Sequence, residues 1–105
     1  MTDRELLELA AKAAEIEITA IVAEGIPHRF GGGYWNPLTD DGDALRLAVR
    51  LGIGLDFLET ASGIMQVWAN HYKEDHIENA GDEPYAATRR AIVRAAAEIG
   101  RSWTW

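Results

Sequence analysis

Leu6, Leu9, Ala10, Ala13 and Ala14 recur at intervals of three and four, the spacing that gathers side chains on one face of a helix. Thr2 precedes this run and Glu5 follows three residues on. That is a capping box, in which the Thr2 hydroxyl and the Glu5 carboxylate each satisfy an orphan backbone donor. From residue 16 the period changes. Ile16, Ile18, Ala20 and Val22 alternate with Glu17, Thr19 and Ile21, which predicts a half-buried strand. Gly25 and Pro27 punctuate it, residues 28–30 return as a short second strand, and the glycines at 31–33 end the hairpin or loosen its loop.

The stretch "WNPLTDDGDALRLAV", residues 35–49, joins an aromatic, a rigid Asn-Pro and three acidic residues to a helical rhythm. Pro37 does not fit a strand ladder and pushes Asn36 towards an extended conformation. Thr39, Asp40 and Asp41 are all competent N-caps, and carboxylates there meet the positive end of the helix dipole. Ala44, Leu45, Ala48, Leu51 and Gly52 form the expected apolar face, with Arg46 and Arg50 opposite and Asp43 three residues before Arg46. A calcium loop is excluded: starting from Asp40 or Asp41, neither the required glycine nor the distal glutamate falls in place. The acidic cluster reads as a capped helix start.

Ile53, Leu55 and Phe57 alternate with Gly54, Asp56 and Leu58, and Ile64, Gln66 and Trp68 alternate with Met65, Val67 and Ala69. Two strands joined by a turn containing Gly63 follow from this pattern. Residues 73–83 are polar and acidic, which suggests a surface connection. Pro84 suits the first position of a last helix, with Asp82 as its cap. Tyr85, Thr88, Ile92, Ala95 and Ile99 form the expected buried stripe, and Gly100 stands where a helix commonly ends. The predicted order is α-β-β-α-β-β-α: an α+β fold in which an antiparallel sheet of about four strands packs with three helices. One domain spans residues 1–105, and residues 101–105 form an aromatic C-terminal tail.

Composition narrows the function classes. No cysteine is present, so disulfides, thiolate metal sites and cysteine nucleophiles are excluded. The charged N-terminus does not read as a signal peptide, and no run approaches the length of a membrane span. These features predict a soluble, cytoplasmic protein. A net charge of −7 repels nucleic-acid phosphates, although Arg89, Arg90, Arg94 and Arg101 crowd the last helix and its end.

Candidate chemistry is sparse. His28, His71 and His76 lack zinc-site spacing, and His71, Glu74, Asp75 and His76 read as a solvated loop before they read as a metal site. Ser62 and Ser102 lack a nucleophile-elbow setting, and "GGGYW" lacks the Lys-Ser/Thr ending of a phosphate loop. No cofactor and no catalytic residue is expected. The four tryptophans are the more informative set. Trp68 is expected in the core and Trp35 as a plug beside the helix cap. Trp103 and Trp105 have no periodic partner, and are expected to pack on the sheet edge or across a homodimer contact.

Three blocks, "MTDRELLELAAKAA", "WNPLTDDGDALRLAVRLGI" and "PYAATRRAIVRAAAEIGR", resemble a family of small proteins of unknown function encoded by bacteriophages and prophages, similar to the phage ABA-sandwich domain. They cover about half the chain, and the intervening strands carry no such likeness. The resemblance implies provenance, a layered α+β fold and location in the bacterial host's cytoplasm, and it brings no catalytic residues. It makes a small acidic binding protein plausible, acting on a host or phage protein in host takeover or anti-defence. The alternative is a small-molecule or nucleotide binder using Arg89, Arg90 or Arg94 with Trp35 or Tyr85 as a stacking surface.

Overall fold

The computed structural model describes residues 1–28, 32–72 and 74–102. Among the described residues it is an α+β fold with three helices and two antiparallel sheets, one of two strands and one of three. The expected single sheet of about four strands is therefore replaced by five strands in two sheets.

Helix α1, Asp3–Ala13, starts on the predicted capping box: the Glu5 amide donates to Thr2 Oγ1 at 3.1 Å, and the Thr2 amide donates to the Glu5 carboxylate at 3.3 Å. Glu15 then adopts φ 58°, and the Ile16 amide returns to the Ala11 carbonyl at 2.8 Å. That reversal ends the helix and removes the strand expected from residue 16. Ile16 and Ile21 anchor this segment to the core while Ile18 and Val22 stay exposed, so the alternation has no single buried face. The two-stranded sheet forms later, where β1 (Ile26–Pro27) pairs with β2 (Tyr34–Trp35) and Ile26 lies opposite Trp35.

Helix α2, Asp41–Leu51, is capped by Asp40, whose carboxylate accepts from the Asp43 amide at 2.8 Å, and ends on left-handed Gly52. Its buried face is Ala44, Leu47 and Ala48 together with Asp43. Leu45 was expected on this face but is exposed, as is Val49. Two apolar sets overlap at Ala44 and Ala48, and the packing on α3 chooses the one containing Leu47.

The larger sheet is a meander, β3 (Gly54–Glu59), β4 (Met65–His71) and β5 (Glu74–Asn79). Its registers place Val67 between Phe57 and Glu78, and Trp68 between Asp56 and Ile77. Strand β5 lies where a surface connection was expected. Its composition hides it, because it meets α3 through an ion pair between Glu78 and Arg94 instead of through apolar side chains.

Helix α3, Pro84–Ser102, begins on Pro84 as predicted, with Asp82 one residue too early to be its cap. It packs on α1, α2, β4 and β5, so its burial is broad: Ala87, Ala91, Ile92, Val93, Ala95, Ala96, Ala97 and Gly100. Tyr85, expected in the stripe, is exposed. Gly100 does not end the helix either. A Cβ there would lie 2.0 Å from the Leu9 carbonyl oxygen, so the glycine sets how closely α3 approaches α1.

Candidate functional site

Side chains of a strand alternate between faces. In the larger sheet, Val67 and Ala69 are fully buried on the side that meets α3. The opposite side presents Asp56 and Leu58 from β3, Gln66, Trp68 and Asn70 from β4, and Asp75, Ile77 and Asn79 from β5. Among the described elements, α3 is the helix that packs broadly on this sheet, and it lies on the Val67 side.

Trp68 holds the centre of the face, half-buried and not in the core as expected. Ile77 stands directly across from it and Leu58 diagonally, within reach of a large aromatic. Leu58 is 47% and Ile77 38% exposed. Paired polar groups frame this apolar diagonal. Asn70 Nδ2 donates to Asp56 at 2.9 Å, Gln66 Nε2 to Asn79 Oδ1 at 3.2 Å, and Trp68 Nε1 to Gln66 Oε1 at 3.2 Å. An apolar centre with a satisfied polar rim is the anatomy of a protein-contact surface. Sequence reasoning missed Leu58 and Ile77 because their proximity depends on β5, whose single apolar outward residue is too weak a signal of alternation.

The arginines expected to bind a ligand are bound within the fold. Arg89 donates through Nε to the Leu38 carbonyl at 2.9 Å and through Nη1 to Asp41 at 2.6 Å. Arg90 donates to Asp3 at 3.1 Å, and Arg94 to Glu78 and to the Ile77 carbonyl. Trp35 is buried in the core, as the plug reading required, and offers no stacking surface. Tyr85 is 70% exposed on the first turn of α3. Trp103 and Trp105 lie outside the described residues.

The stretch 35–43 is scaffold. Asn36 Nδ2 donates to the Glu24 carbonyl at 3.1 Å, its Oδ1 accepts from the Leu38 amide at 3.1 Å, and its backbone amide donates to the buried Asp43 carboxylate at 3.0 Å. Arg46 bonds the other Asp43 oxygen at 2.8 Å. These bonds tie the loop before β1 to the start of α2, and Gly25 is required because a Cβ there would meet the Trp35 carbonyl at 2.5 Å.

A cleft of about 860 Å³ lies between the β4–β5 turn and the C-terminal half of α3. Ala95 and Ile99 line it with His71, Tyr72, His76, Glu74, Glu98 and Ser102. Burial, and then the Arg94 guanidinium, hold the His76 imidazole below its ordinary range, against Glu74, Glu98 and Asp75, which act the other way. Its Nε2 stands 3.9 Å from Glu74. Among the described residues, no three His, Asp or Glu side chains are grouped to hold a metal ion. None of the described helices is long and apolar enough to cross a membrane. No protein family, no curated protein and no solved structure matches this chain.

Proposed function

We propose that the protein is a non-catalytic binding protein, phage- or prophage-encoded and cytoplasmic in the bacterial host, that acts by contact with a host or phage protein. The observation that carries this reading is the outer sheet face, where Trp68, Leu58 and Ile77 form an apolar diagonal inside a hydrogen-bonded polar rim. Aromatic residues at such a centre commonly dominate protein contacts, while the rim orients the partner and adds less affinity. The reading is tested by affinity capture from infected-host lysate, comparing the wild type with Leu58→Asp, Ile77→Asp and the remote exposed control Val49→Asp. A protein retained by the wild type and by Val49→Asp, and lost with both face variants, supports it. Equal retention by all four, or no protein retained by the wild type, overturns it.

The cleft beside α3 favours a second reading, small-ligand sequestration, in a form different from the arginine site anticipated above. Its described lining offers carboxylates and apolar surface, and no arginine. That chemistry suits a compact amine with an apolar body and disfavours a nucleotide. A thermal-shift panel of such amines against nucleotides separates the two ligand classes.

A further inference from the structure

Strand β3 is an edge, and no other described strand pairs with its outer side. It runs six residues in unbroken register with β4, contains no proline or lysine, and all but Leu55 of its residues are exposed. Among the described elements it is hydrogen-bonded to β4 alone, and only Leu55 reaches the core. Natural sheets usually blunt such an edge with lysine, proline, a bulge or a covering segment, and β3 carries only the carboxylates of Asp56 and Glu59. The other edge shows such a device, because the Arg94 guanidinium caps the Ile77 carbonyl on β5.

Hydrogen-bond parity decides what the open edge offers. The Thr60 amide bonds the Ile64 carbonyl at 2.8 Å, and residues 60 and 64 continue the β3–β4 register. In an antiparallel ladder, bonded positions alternate with unbonded ones. Gly54, Asp56 and Leu58 therefore direct their amides and carbonyls at β4, and Leu55, Phe57 and Glu59 direct theirs outwards. Phe57, at the middle of the outward set, is 57% exposed.

We infer that β3 pairs antiparallel with β3 of a second copy about a two-fold axis at Phe57, joining two three-stranded sheets into one. A two-fold normal to the sheet keeps each face on its own side, so residues facing one another across the axis must share parity. Every register centred on a residue satisfies this, and the two that pair five residues of each strand are centred on Asp56 and on Phe57. The register centred on Asp56 opposes two carboxylates in the closer, non-bonded kind of pair, which is unfavourable. The register centred on Phe57 sets the two Phe57 rings side by side, faces each Asp56 with Leu58 and each Glu59 with Leu55, and opposes no like charges. It also satisfies every outward amide and carbonyl of Leu55, Phe57 and Glu59. A foreign strand would need to bring a matching sequence, whereas the second copy is complementary to itself. The pairing does not depend on what docks on the outer face. It would make the two outer faces continuous and present two copies of the Trp68 diagonal. One strand pair buries less than a standard stable interface, so the dimer is a concentration-dependent equilibrium.

The absence of cysteine makes the test direct. In the inferred register the Phe57 Cα atoms stand about 5.5 Å apart, within disulfide reach. Phe57→Cys, Asp56→Cys and the remote exposed Tyr85→Cys are each oxidised under mild conditions. The expected result is rapid covalent dimer from Phe57→Cys alone; equal rates for all three, or faster dimer from Asp56→Cys, overturn the assignment. On the unsubstituted protein, amide exchange at Leu55, Phe57 and Glu59 slows as concentration rises, while Asp56 and Leu58 stay protected throughout. Exchange at the three outward amides that ignores concentration overturns the pairing, even if a dimer forms elsewhere.

Discussion

Gly100→Ala tests the packing on which the helix layer rests. On an exposed helix this substitution stabilises by about 1 kcal/mol, because alanine loses less backbone entropy and is the better helix former. Here the added Cβ would fall 2.0 Å from the Leu9 carbonyl oxygen, 2.9 Å from its carbonyl carbon and 3.3 Å from the Ala13 amide nitrogen. The first two are closer than real Cβ contacts allow, and both atoms are backbone, so no rotamer change relieves them. α1 and α3 must separate by roughly 1 Å over an interface whose buried residues are mainly alanine, and a gap of that size forfeits a quarter to a half of each contact's attraction. Overpacking of this kind costs about 1–3 kcal/mol. Backbone on both sides puts it near the upper end, leaving a net loss of about 2 kcal/mol after the propensity gain. For a chain of 105 residues that corresponds to roughly 9 °C in Tm. Urea titration followed by tryptophan fluorescence, with a thermal melt by circular dichroism, measures both quantities. Gly42→Ala is the internal comparison. Its nearest neighbours would be the Arg46 guanidinium at 3.1 Å and the Asp40 carboxylate at 3.3 Å, side-chain ends that need give only a few tenths of an ångström, so it should cost far less than Gly100→Ala. Gly100→Ala at or above wild-type stability would refute the close α1–α3 approach.

Asp43→Ala leaves the Asn36 amide without its acceptor and Arg46 with only the longer contact to Asp40, and should cost about 2–3 kcal/mol by urea titration, with Asp43→Asn intermediate; a loss below about 0.5 kcal/mol contradicts the staple. Calcium or magnesium should leave Tm unchanged, because Asp40, Asp41 and Asp43 are committed to a cap, to Arg89 and to the Asn36 staple; a rise of several degrees would reverse that reading. His76 is held below its ordinary value of 6.5 by burial first and Arg94 second, so the unfolded chain binds the proton more readily. Its contribution to stability is complete above 6.5 and is lost as the pH falls through the lowered folded value. His76→Asn should therefore show a shallower loss than wild type between about pH 7 and pH 5, and parallel curves would count against the burial argument. Duplex DNA should not be shifted in a gel at physiological salt, since the net charge is −7 and Arg89, Arg90 and Arg94 each hold a carboxylate; a salt-sensitive shift at sub-micromolar protein would show otherwise.

Local chemistry was legible in the sequence wherever a residue's role depends on near neighbours. The Thr2–Glu5 capping box, the acidic start of α2, Pro84 opening α3 and the β3–β4 pair all follow from side chains within a few positions of the groups they satisfy. What depends on distant partners was decided only in three dimensions. Strand β5 exists because Glu78 finds Arg94 and the β4 edge finds a second neighbour, neither of which leaves a periodic trace in a polar hexapeptide. Residues 16–22 alternate well enough for a strand yet form only the bridge of Val22 to Gly25, because the turn at Glu15 folds Ile16 back onto Ala11. Gly100 looks like a helix stop until Leu9 arrives against it from the other end of the chain. The arginines look like an anion site until Asp41, Glu78 and Asp3 neutralise them. The outer sheet face belongs to the same class: Leu58, Trp68 and Ile77 become one surface only through strand register, which is a property of the pairing and of no single segment.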